Sequence, residues 1–95
     1  MPVEGARAWL VQGENGQVMF LIAERQLQIP AHSHGDQWGI VIEGQMELTI
    51  GEKTATYHQG DSYFIPAGTM HKAILYKGFR VLDYVADEDR YKTKE

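Results

Sequence analysis

The sequence predicts an all-β domain, a sandwich or a barrel. Three observations carry that reading. Short runs of β-forming residues are separated by glycine turns along nearly the whole chain. One run, Gln45 to Ile50, alternates cleanly, with Met46, Leu48 and Ile50 on one face and Gln45, Glu47 and Thr49 on the other. No long stretch places apolar residues at i, i+3, i+4 and i+7, the signature of an amphipathic helix.

The first element is a short strand over Trp9 to Val11. Gly13-Glu14-Asn15-Gly16 then turns the chain, since Asn and Gly both tolerate positive φ. Val18 to Arg25 forms a second strand, and Leu27 to Ile29 continues the extended chain up to Pro30. Trp38 to Glu43 and Gln45 to Ile50 flank Gly44, which suits a tight corner or a bulge. Gly51-Glu52 is a turn, and Lys53 to His58 the next strand. Tyr63 to Ile65, Lys72 to Tyr76 and Arg80 to Val85 complete the set. Many short strands at close spacing indicate a sandwich or barrel. Residues 1–86 are expected to form one domain, and 87–95 a charged, solvated tail or a single frayed helical turn.

A chain of 95 residues buries roughly 65% of its unfolded surface, enough for one modest core. Hydrophobic residues are 43% and charged residues 23%, a balance that argues against disorder. Cysteine is absent, which excludes a disulfide scaffold, a thiolate metal site and a cysteine nucleophile. Nine basic against thirteen acidic residues give a formal charge of −4, so nucleic acid is not an expected partner. No apolar run approaches the roughly 20 residues that cross a bilayer. Met1 to Gly5 has neither a basic nor an apolar leader segment, so the expected compartment is the cytoplasm.

Three of the four histidines sit where strands meet turns. His32 and His34 are two apart; in an extended chain such residues point to one face and can reach one ion. Neutral imidazole is the commonest ligand for divalent transition metals. The other reading of this pair is two solvated loop histidines or an interface pair. Gln37 can add a donor oxygen if Gly35-Asp36 turns the chain back; most loop glutamines do nothing specific. His71 follows Gly60, Pro66 and Gly68, residues suited to open a strand, end it and turn tightly. It either begins the next strand with its ring aimed inward or caps an ordinary hairpin.

The segment Gly60-x5-Pro66-x-Gly68-x2-His71 resembles the second motif of the cupin superfamily. The first cupin motif is matched by His32-Ser33-His34, then Gln37, six residues, then Gly44. The gap before Gln37 is shorter than usual, as is the Gly44 to Gly60 interval, and Leu75 replaces the Asn that often closes the second motif. The resemblance spans residues 30 to 75. It implies a double-stranded β-helix, the jelly-roll cupin barrel, with His32, His34, Gln37 and His71 as metal ligands inside its mouth. Gln37 stands where the family usually has Glu. Neutral ligands would leave a divalent ion its full charge, making it a stronger Lewis acid that favours anionic small molecules. They would also hold it less tightly. With no thiolate ligand, Zn, Ni, Fe, Mn and Co all suit such a site.

Asp83 is the acid/base candidate. Within Val81 to Val85, alternation puts it on the face of Val81 and Val85, where desolvation raises a carboxyl pKa toward the range useful for moving protons. Its other reading is an exposed edge residue, or one paired with Arg25 or Arg80. Leu82-Asp83-Tyr84-Val85 also resembles the last strand of pectin-degradation cupins, which look like isomerases that open unsaturated uronic acids; Val85 stands where they carry an aromatic. Arg25 is either a fork for a substrate carboxylate or a surface charge. Trp38, Phe20, Tyr63 and Tyr84 are either pocket walls or plain core, with Trp38, beside Gln37, the best wall. His58 reads as a surface residue, and Asp36 and Asp61 as turn residues.

The expectation is a metal-binding barrel acting on a small polar molecule by metal-assisted isomerisation or proton transfer on a sugar acid or related carbonyl compound. The alternatives are an iron-dependent dioxygenase and a non-catalytic small-molecule binding protein. An exposed sheet edge near Trp9 to Val11 suggests a homodimer.

Overall fold

The computed structural model describes residues 4–33 and 35–86. His34 and the predicted tail, 87–95, lie outside the described residues. Among the described residues, nine strands form two antiparallel sheets. They are β1 (Ala6–Gln12), β2 (Gly16–Ala23), β3 (Leu27–His32), β4 (Gln37–Glu43), β5 (Gln45–Ile50), β6 (Lys53–His58), β7 (Ser62–Ile65), β8 (His71–Leu75) and β9 (Arg80–Ala86). One sheet has the order β1-β2-β9-β4-β7, the other β3-β8-β5-β6. Eight of these strands are the runs expected from the sequence, with ends that differ by a few residues; Leu27–Ile29, expected only to continue the extended chain up to Pro30, belongs to a strand of the other sheet that runs through Pro30 to His32, and the described residues contain no helix.

The two inner faces enclose the core. The alternation read in β5 is the observed one: Met46 and Leu48 are buried, as are Val41 of β4, Ile65 of β7, Leu75 of β8 and Val81 of β9. Leu75, in the place of the usual Asn, thus serves packing. Phe79, in the turn before β9, is wholly buried and contacts no water. Gly44 joins the two sheets with φ +87°, and any Cβ there would run into the Phe79 backbone. Gly68 turns the chain before His71 with φ +78°, as its motif position requires. Asp61 and Asp36 both serve loops: Asp61 accepts the His58 N–H at 2.8 Å, and Asp36 accepts the Ala67 N–H at 2.7 Å. The second bond ties the β3–β4 loop to the turn that leads to His71. His58 is exposed.

Among the described residues no helix is long and apolar enough to cross a membrane.

Candidate metal centre

Pro30 lies inside β3, and the β3–β8 register slips between Ile29 and His32. Proline cannot donate to a sheet ladder and so sits at bulges. The slip has a consequence for chemistry. Simple alternation from Leu27 and Ile29 would turn Ala31 inward; the bulge turns His32 inward instead, directly opposite His71. Ala31 is exposed, and His32 and Ile29 line the same internal cavity.

The His32 and His71 rings lie 4.3 Å apart between centroids. Each Nδ1 faces a backbone carbonyl: Pro30 at 2.8 Å for His32 and Thr69 at 3.0 Å for His71. A carbonyl only accepts, so each Nδ1 carries a hydrogen, and in the neutral ring Nε2 then carries the lone pair. Metal-ligating histidines are oriented by this kind of bond. The separation suits two rings sharing one ion, whose metal–nitrogen bonds are about 2 Å. His71 is 6% exposed, well shielded from water.

Gln37 begins β4 and is buried on the same cavity wall. It hydrogen-bonds the Tyr63 hydroxyl. That hydroxyl donates its own proton to Asp83 Oδ1 at 2.5 Å, so Gln37 must donate through its amide nitrogen. The polarity of the chain amide → hydroxyl → carboxylate leaves the Gln37 carbonyl oxygen as the atom suited to a cation. Burial, and next the negative charge of Asp83, push the Tyr63 hydroxyl far above the usual tyrosine range; it stays a donor at any physiological pH.

Asp83 is 4% exposed, and it lines the cavity with Val81 and Val85, on the face its alternation predicted. Its partner is Tyr63, not an arginine. Arg25 pairs with Glu4 at 3.7 Å and Arg80 with Glu43 at 3.5 Å, both on the surface. Arg25 is therefore no fork for a ligand in this cavity.

The aromatic walls need correction. Tyr63 lines the cavity, but Trp38, Phe20 and Tyr84 do not. Trp38 is 45% exposed on the outer face of the sheet, stacked near Phe64 at 5.1 Å and Tyr84 at 5.6 Å. Adjacent strand residues point oppositely, so an inward Gln37 sends Trp38 outward. Sequence reasoning also passed over Gln17 and Met19 as cavity residues, and Gly39 as the space in which Tyr63 meets Asp83. The signal for Gly39 was a glycine inside a strand, which often marks a close approach.

The cavity holds about 290 Å³, at the small end for ligand sites. A larger furrow of about 560 Å³ lies on the outside of the four-stranded sheet, among outward side chains such as Glu47, Thr49, Thr54 and Lys72. It contains neither histidine and none of the buried polar network.

The donors fit a divalent cation: two imidazoles whose Nδ1 atoms face carbonyls, which leaves Nε2 for the ion, and an amide oxygen, in one sheltered cavity. Among the described residues no group of three His, Cys, Asp or Glu side chains gathers as a ligand set. The predicted fourth ligand, His34, is outside those residues.

Removing the Tyr63 hydroxyl should loosen this site. Tyr63→Phe takes a donor from Asp83 and an acceptor from Gln37, and residues that orient ligands are worth about 10-fold or more in metal affinity. Titration with Zn²⁺ or Ni²⁺ against a competing chelator should show that loss; equal affinity would refute the orienting role.

Two antiparallel sheets packed as a jelly roll, with imidazoles and an amide lining the cavity between them, define the class of the barrel. The comparisons agree on the class. The cupin-domain family model matches residues 18–81, and the chain belongs to the cupin family. Mannose-1-phosphate guanylyltransferase of Sinorhizobium fredii is 27% identical over 70 residues, which are 72% of this chain and 14% of that protein. The chain thus spans about a seventh of that relative. KdgF from Halomonas sp. superposes with a TM-score of 0.81 at 24% identity, over 96% of this chain and 88% of KdgF. Salicylate 1,2-dioxygenase from Pseudoaminobacter salicylatoxidans superposes at 0.84 and 12% identity, over 99% of this chain and 28% of the enzyme. Oxalate decarboxylase from Bacillus subtilis superposes at 0.81 and 20% identity, over 93% of this chain and 27% of the enzyme. At these identities the structural likeness establishes the fold.

Proposed function

We propose that this cupin binds a divalent transition metal and catalyses isomerisation or proton transfer on a small, anionic sugar acid or related carbonyl compound. The observation that supports it is the placement of Asp83. A buried carboxylate, held at one oxygen by Tyr63, shares a cavity with His32, Gln37 and His71. A proton acceptor beside a cation site is what enolisation or tautomerisation needs.

His32, Gln37 and His71 would hold the ion, with His34 as the fourth ligand implied by the family motif. A bound ion would polarise a ligand carbonyl or hydroxyl and neutralise a ligand carboxylate. The residues of the chain divide the remaining work. Asp83 takes a proton from one ligand atom and returns it to another. Tyr63 fixes the Asp83 carboxylate in one orientation. Met19, Leu21, Phe79 and Val81 give the cavity an apolar lining. The resemblance of Leu82 to Val85 to the last strand of pectin-degradation cupins supports trying unsaturated uronic acids first, and the fold likeness to salicylate 1,2-dioxygenase supports an oxygenase as the second activity to test.

Asp83→Asn tests the reading. The amide keeps the shape and still accepts from Tyr63, but it cannot take a proton. Turnover of an unsaturated uronic acid should fall at least about 100-fold with metal content unchanged. Full turnover would remove Asp83 from the chemistry, and ligand binding without turnover in either protein would indicate a binding protein. Turnover that requires oxygen and Fe²⁺ would indicate the oxygenase.

A further inference from the structure

Among the described residues six polar side chains line the cavity between the sheets: Gln17, His32, Gln37, Tyr63, His71 and Asp83. Five of them make up the candidate metal centre and its proton acceptor. Gln17 belongs to neither.

Strand register fixes its place. One cross-strand row runs Gln12–Gln17–Val85–Gln37–Ile65, through β1, β2, β9, β4 and β7. Shelter from water falls along that row. Ile65 and Gln37 are buried, Val85 and Gln17 are partly buried, and Gln12 is exposed. The β2 end of the row is therefore the mouth, and Gln37 lies deeper. Two strand spacings, about 10 Å, separate Gln17 from Gln37. Asp83, two residues along β9 from Val85, is diagonal to both glutamines at roughly 7–8 Å between Cα atoms. On the β4 side of Asp83, Tyr63 fills the space over Gly39. On the β2 side its neighbour is Met19, which has no hydrogen to donate.

Charge is the second observation. Among the described residues no Lys or Arg lines the cavity. A first ligand carboxylate would have the cation as its partner. A second would have none and would lie near the buried Asp83 carboxylate. An unpaired buried charge costs far more than a buried hydroxyl that finds a partner. An amide both donates and accepts, as a hydroxyl does.

We propose that Gln17 is a specificity residue: it receives the neutral, hydroxylated end of a monoanionic ligand, in a cavity that rejects dianions. This rests on the function proposed above. The acidic end of the ligand lies at the ion beside Gln37, Asp83 reaches its middle, and Gln17 holds its outer end at the mouth.

The test is calorimetric binding to the full chain loaded with Ni²⁺, with three probes. D-Galacturonate is a hydroxylated monoanion, galactarate carries a second carboxylate, and cyclohexanecarboxylate is a monoanion without hydroxyls. Wild type should bind galacturonate about 10-fold more tightly than either of the others. Gln17→Leu should weaken galacturonate about 5-fold or more and leave cyclohexanecarboxylate within about twofold. A purely structural role would weaken both alike. Gln17→Lys should reverse the charge preference, so that galactarate binds more tightly than galacturonate; this reversal decides the matter if the leucine variant does not fold. Nickel content should be equal in all three proteins. Unchanged galacturonate binding in Gln17→Leu, a loss shared by cyclohexanecarboxylate, a loss of nickel, or no reversal in Gln17→Lys overturns the role of Gln17 alone. A wild type that binds none of the probes overturns the proposed function and this inference together.

Discussion

Gly39→Ala is expected to cost about 3 kcal/mol of stability and to dismantle the Tyr63–Asp83 pair. Gly39 is not among the glycines with positive φ, so no backbone demand explains it. Space does. A methyl on Gly39 would fall within the Asp83 carboxylate and against both the ring edge and hydroxyl of Tyr63. Gly39 pairs with Tyr63 on one side and with Asp83 on the other, and their side chains meet over its bare Cα. One methyl must therefore push apart two buried groups joined by a hydrogen bond. Overpacking and the weakened bond add together. For a domain of this size the melting temperature should fall by roughly 15 °C. Thermal unfolding of the metal-free protein measures the first effect. Metal affinity and turnover of the variant measure the second, and both should follow those of Tyr63→Phe. A variant that melts within a degree or two of wild type would show that the crowding relaxes freely, and the glycine would lose its assigned role.

His71→Ala is expected to abolish metal retention, lowering affinity by about 100-fold or more. Ligand-orienting neighbours alone account for about 10- to 100-fold, and a direct ligand should exceed them. The ring is nearly buried, its tautomer is set by the Thr69 carbonyl, and it faces His32 across the strand pair. No other described histidine can replace it, since His58 is exposed on β6. Elemental analysis of protein purified without chelator, wild type beside variant, is the measurement. Equal metal in the two would leave the centre without support, even with the barrel intact. Metal loss without loss of turnover would separate the centre from the reaction and favour chemistry by Asp83 alone.

Much of this molecule was legible in its sequence because strand chemistry is local. Alternation in Gln45–Ile50, proline and glycine at strand ends, and β-branched runs between turns marked eight strands near their observed places, and the extended run that begins β3. Motif spacing named His32, Gln37 and His71, which the fold brings to one cavity. Asp83 was legible for the same reason: its neighbours two positions away, Val81 and Val85, are apolar.

The choice of inner face was not legible everywhere, and β4 is the clearest case. Its apolar set, Trp38, Ile40 and Ile42, faces out, while Gln37 and Gly39 face in with Val41. A hydrophobic pattern reports which residues share a face, not which face is covered, and an outer face rich in aromatics carries the same pattern as a core. That is why Trp38 read as a pocket wall. The Pro30 bulge is a second case, because its effect on His32 exists only relative to β8. The sequence by itself determined the strands, the turns and the residue types able to bind a cation. The tertiary structure decided which of those residues meet, because the meeting of Gln37, Tyr63 and Asp83 over Gly39 depends on the register of three strands far apart in the chain.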